Sequence, residues 1–190
     1  MNAAFSMITL GFKRYNVSLI NSPYRTKMIT AGVIFGGADA FCQTFLEKTP
    51  ENTTKKFDWV RCMNMALIGS CISAPVNHIW YSKWASALVS KVTSRARVQP
   101  YVSTAADQLL VTPVTLSSFL FLSDYLKDFR SLKAAKNVQE KFTGAMTTNL
   151  KVWPPIILAN FMFIPPHMRV LFVNVFGFFW SIYLSHIQNN

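Results

Sequence analysis

The chain has 190 residues, 51% of them hydrophobic and 14% charged, with a mean hydropathy of +0.25. Soluble domains carry about 25% charged residues, so this chain lacks the polar surface to cover itself and is expected to lie in a membrane. Its net charge of +11 comes from 19 Lys and Arg against 8 Asp and Glu. The bases sit between apolar stretches instead of lining one face with interleaved aromatics, which points to anionic lipid headgroups and away from nucleic acid.

The length suits one membrane domain over 1–190, divided into a basic amphipathic segment at 1–23 and a helical bundle at 24–190. No acid precedes Asp39, whereas Lys13, Arg14, Arg25 and Lys27 do. Such a segment reads as a mitochondrial targeting signal, cleaved or uncleaved, or as an amphipathic helix lying on the bilayer surface. Asn16 and Asn52 begin glycosylation triplets that carry little weight without a secretory context.

Five apolar runs follow, at 28–46, 62–82, 108–123, 152–168 and 170–190. A spanning helix needs about 20 mostly apolar residues, and each run reaches that length once its flanks are counted. The runs lack the alternation of a membrane barrel, and prolines such as Pro75, Pro113, Pro154 and Pro155 are tolerated where neighbouring helices satisfy freed carbonyls. The expected fold is all-α, a polytopic transmembrane bundle with four or five spans. The connections expected at 83–99 and 127–141 are basic. With five spans the bases divide almost evenly between the two sides and leave orientation open.

Polar residues inside the runs show where helices meet. Gly32, Gly36, Asp39 and Gln43 recur at helical spacing on one face. Gly32 and Gly36 permit close approach of a neighbouring helix, and an intramembrane carboxylate such as Asp39 is expected to face the bundle or a wet cavity. Cys62, Ala66, Gly69 and Ser73 form a small-residue stripe in the second run, with Asn77 and His78 beyond Pro75. Thr104, Gln108, Thr112, Thr115 and Ser118 form another in the third, beside Asp107. Two readings fit. Asp39, Gln43, Asn77, Asp107 and Gln108 line a passage for small solutes, or they bond one another and pair with Arg61 and Lys151 to hold the bundle together.

No catalytic constellation is found. There is no His-Glu-x-x-His, phosphate-binding glycine loop or nucleophile elbow, and His78, His167 and His186 lack metal-ligand spacing. No cofactor is expected. Cys42, Cys62 and Cys71 lie in apolar runs without a Cys-x-x-Cys pair, which suits packed thiols. Trp59, Trp80, Tyr81, Trp84, Trp153, Trp180 and Tyr183 fall near run boundaries, as interfacial anchors do.

Several strings resemble one family. Pro23, Thr30, Gly32, Gly37, Asp39 and Gln43 resemble the opening helix of the Mpv-seventeen and twenty-two-kilodalton peroxisomal membrane protein family. Asp58-Trp59-Val60-Arg61, Gly69, Ala74-Pro75 and His78-Ile79-Trp80-Tyr81 resemble its second block, and Asp107-Gln108 with Thr112-Pro113 its third. Lys151-Val152-Trp153-Pro154, Asn160-Phe161, Pro165 with Arg169, and Trp180 to Ser185, including Leu184, are similar to its carboxy-terminal signature. The ordered blocks cover roughly 12–186. Leu150 departs from the aromatic common before the Trp-Pro pair, and His78 stands where some relatives have glycine.

The resemblance implies a small, non-enzymatic protein of the mitochondrial inner membrane or, alternatively, the peroxisomal membrane; the acid-free amino terminus favours mitochondria. The function expected is that of a structural, accessory subunit of a respiratory-type assembly, with other membrane subunits as partners; the alternative, which the resemblance implies for some relatives, is a small-solute pore. Phe172, Phe176 and Phe179 form a candidate docking stripe on the last helix.

Overall fold

The computed structural model describes residues 2–47 and 56–189; the side chains of 2–9, 12 and 184–189 lie outside that description. Among the described residues every regular element is helical. We number the helices α1 (Asn2–Asn21), α2 (Pro23–Leu46), α3 (59–92), α4 (Gln99–Asp128), α5 (Ser131–Phe163) and α6 (Arg169–Asn189). Two of them, α2 and α4, are long and apolar enough to cross a membrane, and Arg169–Tyr183 of α6 forms a shorter apolar helix.

The connections are shorter than expected. The segment 83–92 continues α3, leaving 93–98 as the link to α4, and only Phe129 and Arg130 separate α4 from α5. Phe129 turns the corner with φ 57°, the left-handed conformation that commonly ends a helix. Helix α5 has 33 residues, about 50 Å at 1.5 Å per residue, and runs through Pro154 and Pro155.

Wide π-helical turns interrupt three helices, at Cys42–Leu46, Gly69–Ser73, Trp80–Trp84 and Asp107–Val111. Two have a visible cause. Pro75 and Pro113 lack an N–H, and their rings press on the preceding turn. The backbone answers with bonds five residues long, from Ala74 to Gly69 and from Thr112 to Asp107, just ahead of each proline.

Helices in lipid gain little from apolar burial against one another, so close approach at small residues decides their packing. A methyl group on Gly69 would meet the Ala31 carbonyl at 2.8 Å and Phe35 Cβ at 2.9 Å; one on Gly36 would meet Ala66 at 3.2 Å, and one on Gly32 would run into Ser70. The glycines thus seat α2 against α3.

Two apolar clusters fill the bundle. Met65, Ile68, Leu116, Phe119 and Leu120 form one; Trp80, Tyr81, Trp153, Ile157, Phe161 and Val173 form the other. Trp80, Tyr81 and Trp153 are therefore core residues and not interfacial anchors, because the helices carrying them run past the apolar boundaries seen in sequence. Trp59 and Trp84 are exposed.

The elements meet at two ends. Asn64 donates to the carbonyl of Leu126 at 3.1 Å, bringing the start of α3 and the α4–α5 connection to one end. The Tyr81 and Phe161 rings meet at 5.6 Å, so the end of α5 joins the other, where α2 begins and α3 gives way to α4.

Candidate functional site

Between the two apolar clusters lies a cavity of about 120 Å³, walled by α2, α3, α4, α5 and α6. One water occupies about 30 Å³ in the liquid, so the space accommodates a few waters or one small solute. Its polar wall comes from Asn77 and Tyr81 of α3, Asp107 and Gln108 of α4, Asn149 of α5 and Asn174 of α6. Among the described residues no Lys, Arg or His lines it.

Asp107 is the charged group of this wall. Tyr81 donates its hydroxyl to Oδ1 at 3.2 Å, and Gln108 Nε2 donates to Oδ2 at 3.1 Å and to Thr112 Oγ1 at 3.2 Å. The wide turn that starts at Asp107 lets these two consecutive residues both point inward, with exposures of 4% and 5%. Asn77 Nδ2 donates to Ser73 Oγ at 3.3 Å. Among the described residues four polar atoms of the wall have no protein partner: Gln108 Oε1, Asn149 Oδ1, Trp153 Nε1 and Asn174 Nδ2. Buried polar groups are nearly always paired, so these two donors and two acceptors are available to a guest.

Asp39 and Gln43 are elsewhere. They belong to an ion-pair cluster at the end where α2 joins α3. Arg61 Nε bonds Asp39 Oδ1 at 2.8 Å while its NH1 donates to Glu47 at 2.9 Å. Gln43 bridges Asp39 at 2.8 Å to the Asp58 carbonyl at 3.0 Å, and accepts from the Asp58 N–H at 2.7 Å. The five polar residues grouped by spacing thus divide, with Asn77, Asp107 and Gln108 at the cavity and Asp39 and Gln43 in this brace. Of the two cations expected as partners, Arg61 pairs. Lys151 is exposed on α5 and has no ion pair among the described residues, because its position on the helix turns it outward.

The remaining motif residues brace the walls. Trp153 packs edge-to-face on Trp180 at 6.1 Å, and both line the cavity. Pro154 lines a shallow apolar groove between α4 and α5 that shares Gln108 with the cavity. Arg169 caps the end of α5, donating to the Ile164 carbonyl at 3.2 Å and lying 5.0 Å over the Phe161 ring. Asn160 is fully buried. Leu184 and Ser185 fall outside the described side chains. Asn149 and Asn174 were not singled out by sequence; an amide inside an otherwise apolar run was the available signal. Among the described residues no group of three His, Cys, Asp or Glu is placed to hold a metal.

Fold and cavity define an all-helical protein with a polar interior and two helices long and apolar enough to cross a membrane. Comparison with known proteins gives the family. The Mpv17 / PMP22 family profile matches residues 130–185. Protein sym1 of Aspergillus oryzae is 31% identical over 94% of this chain and 98% of its own length. The mitochondrial inner membrane protein Mpv17 of Danio rerio is 29% identical over 94% and 97%, and the PXMP2/4 family protein 2 of Dictyostelium discoideum 29% over 90% and 86%. The chain belongs to the Mpv17 / PMP22 family, and its membrane is the mitochondrial inner membrane. No solved structure matches it.

Proposed function

We propose that this chain is a non-catalytic membrane protein that crosses the bilayer four or five times and passes small polar solutes through its interior. One observation carries this reading: an interior cavity that holds a carboxylate and, among the described residues, four unpartnered polar atoms and no cationic side chain. Intramembrane ionisable groups that face a cavity mark solute or ion pathways. The carboxylate of Asp107 favours cations and neutral polar molecules over anions. Conductance of the purified protein in planar bilayers tests the reading. A cation-preferring conductance that changes in Asp107→Asn supports it, and silent bilayers count against it.

The accessory-subunit reading, with other membrane subunits as partners, draws on exposed aromatics of α6. Phe176 and Phe179 are 37% and 65% exposed, though lipid covers such rings equally well. Mild extraction followed by particle-mass measurement separates the two readings. Co-migration with a large assembly at fixed stoichiometry favours the subunit, and a small homo-oligomer favours the passage.

A further inference from the structure

Asp107 is the one acid of the cavity wall and has no ion pair among the described residues. Tyr81 and Gln108 bond its two oxygens, but both are neutral donors and leave the charge unbalanced. A buried charge is normally paired, and in this cavity the balancing cation has to arrive with the guest.

Acceptors surround that charge. Gln108 Oε1 belongs to the same amide as the Nε2 that bonds Asp107 at 3.1 Å, so its carbonyl and the carboxylate stand side by side. The wide turn carrying both residues packs against α5, which supplies Asn149. Gln108 and Asn149 are each 5% exposed, and neither Gln108 Oε1 nor Asn149 Oδ1 has a protein partner among the described residues. A primary ammonium has three donors and no acceptor, one for the carboxylate and one for each amide oxygen.

The rest of the wall sets what the ammonium is attached to. Trp153 lies one turn from Asn149 on the same face of α5, and its Nε1–H, like Asn174 Nδ2, has no partner among the described residues. Both are donors and call for an oxygen on the guest. Phe35, Phe119 and Trp180 give the remaining wall an apolar surface suited to a short carbon chain. A cavity of about 150 Å³ holds benzene, so this one, at about 120 Å³, holds a somewhat smaller molecule.

We propose that the cavity binds a small primary ammonium ion that also carries a hydroxyl, an amino alcohol of the size of ethanolamine. The ammonium donates to Asp107, Gln108 and Asn149, and the hydroxyl oxygen accepts from Trp153 or Asn174. This assignment rests on the reading of the cavity as a site for polar solutes and narrows their class.

The test titrates the purified full-length protein in non-ionic detergent with ethanolamine, at neutral pH and constant ionic strength. Tryptophan fluorescence reads occupancy, because Trp153 and Trp180 line the cavity. Saturable binding is expected, about tenfold tighter than for ethylene glycol, which lacks the charge, or choline, whose nitrogen has no N–H. Asp107→Asn is expected to weaken ethanolamine binding about tenfold and Asn149→Leu severalfold, whereas Asp39→Asn binds as the wild type does. Should Asp107→Asn fail to fold, Asn149→Leu decides. No saturable binding, equal affinity for the three compounds, or wild-type affinity in the cavity variants overturns the proposal. Uptake of labelled ethanolamine and glycerol into proteoliposomes separates the ligand from the passage. Glycerol entry without ethanolamine binding overturns the ligand assignment and leaves the passage standing. Saturable ethanolamine binding with no uptake of either compound supports the site and overturns the passage.

Discussion

Asp39 and Arg61 meet at 2.8 Å across the seam of α2 and α3, with side-chain exposures of 3% and 11%. The contact makes Asp39 part of a structural brace, since both its oxygens are already bonded, one to Arg61 and one to Gln43. Removing one partner of a buried pair leaves an uncompensated charge and costs about 3–5 kcal/mol. Arg61→Met is expected to lose stability on that scale, because Asp39 and Glu47 both lose their cation. Asp39→Asn keeps the Gln43 bridge and the Arg61–Glu47 contact, and is expected to lose less. Denaturant unfolding in detergent checks the order.

Asp107 and Asp39 are expected to separate in function. Asp107→Asn removes the charge from the cavity wall and should lower the preference for cations over anions severalfold, read from reversal potentials in a salt gradient. Asp39→Asn should leave that preference unchanged in protein that folds. The same shift in both variants would show that the cavity carboxylate does not set selectivity.

The glycines of α2 and α3 are expected to differ sharply from a glycine facing outward. Gly69→Ala places a methyl group 2.8 Å from the Ala31 carbonyl, and overpacking of that kind costs about 1–3 kcal/mol. At Gly37 a methyl group meets nothing within 4 Å, and Ala is favoured over Gly in a helix by about 1 kcal/mol. Gly37→Ala should therefore unfold at a temperature equal to or above the wild type's, and Gly69→Ala clearly below it.

Tyr183 ties α6 to α5 by donating its hydroxyl to Thr148 Oγ1 at 2.9 Å. Tyr183→Phe keeps the ring against Trp180 and removes one hydrogen bond, worth about 1 kcal/mol net. Chemical denaturation is expected to show a loss of that size without change in the slope against denaturant.

The sequence by itself determined the helical class, the membrane setting, the family and the small-residue stripes, because composition and helical period are local properties that survive any packing. Gly32 and Gly36 could be assigned to a helix seam for that reason. Tertiary structure alone decided which neighbour each face meets. Period 3.6 placed Asp39 and Asp107 inside the bundle but carried no information on depth, and only the packing sent one to Arg61 and the other to Tyr81. Wide turns before Pro75 and Pro113 also shift the phase of the helices, which an unbroken helical period does not anticipate, so Asp107 and Gln108 both point inward. Asn149 and Asn174 gained their place at the cavity the same way: an amide in an apolar run is visible in sequence, but the other walls of its cavity come from four other helices.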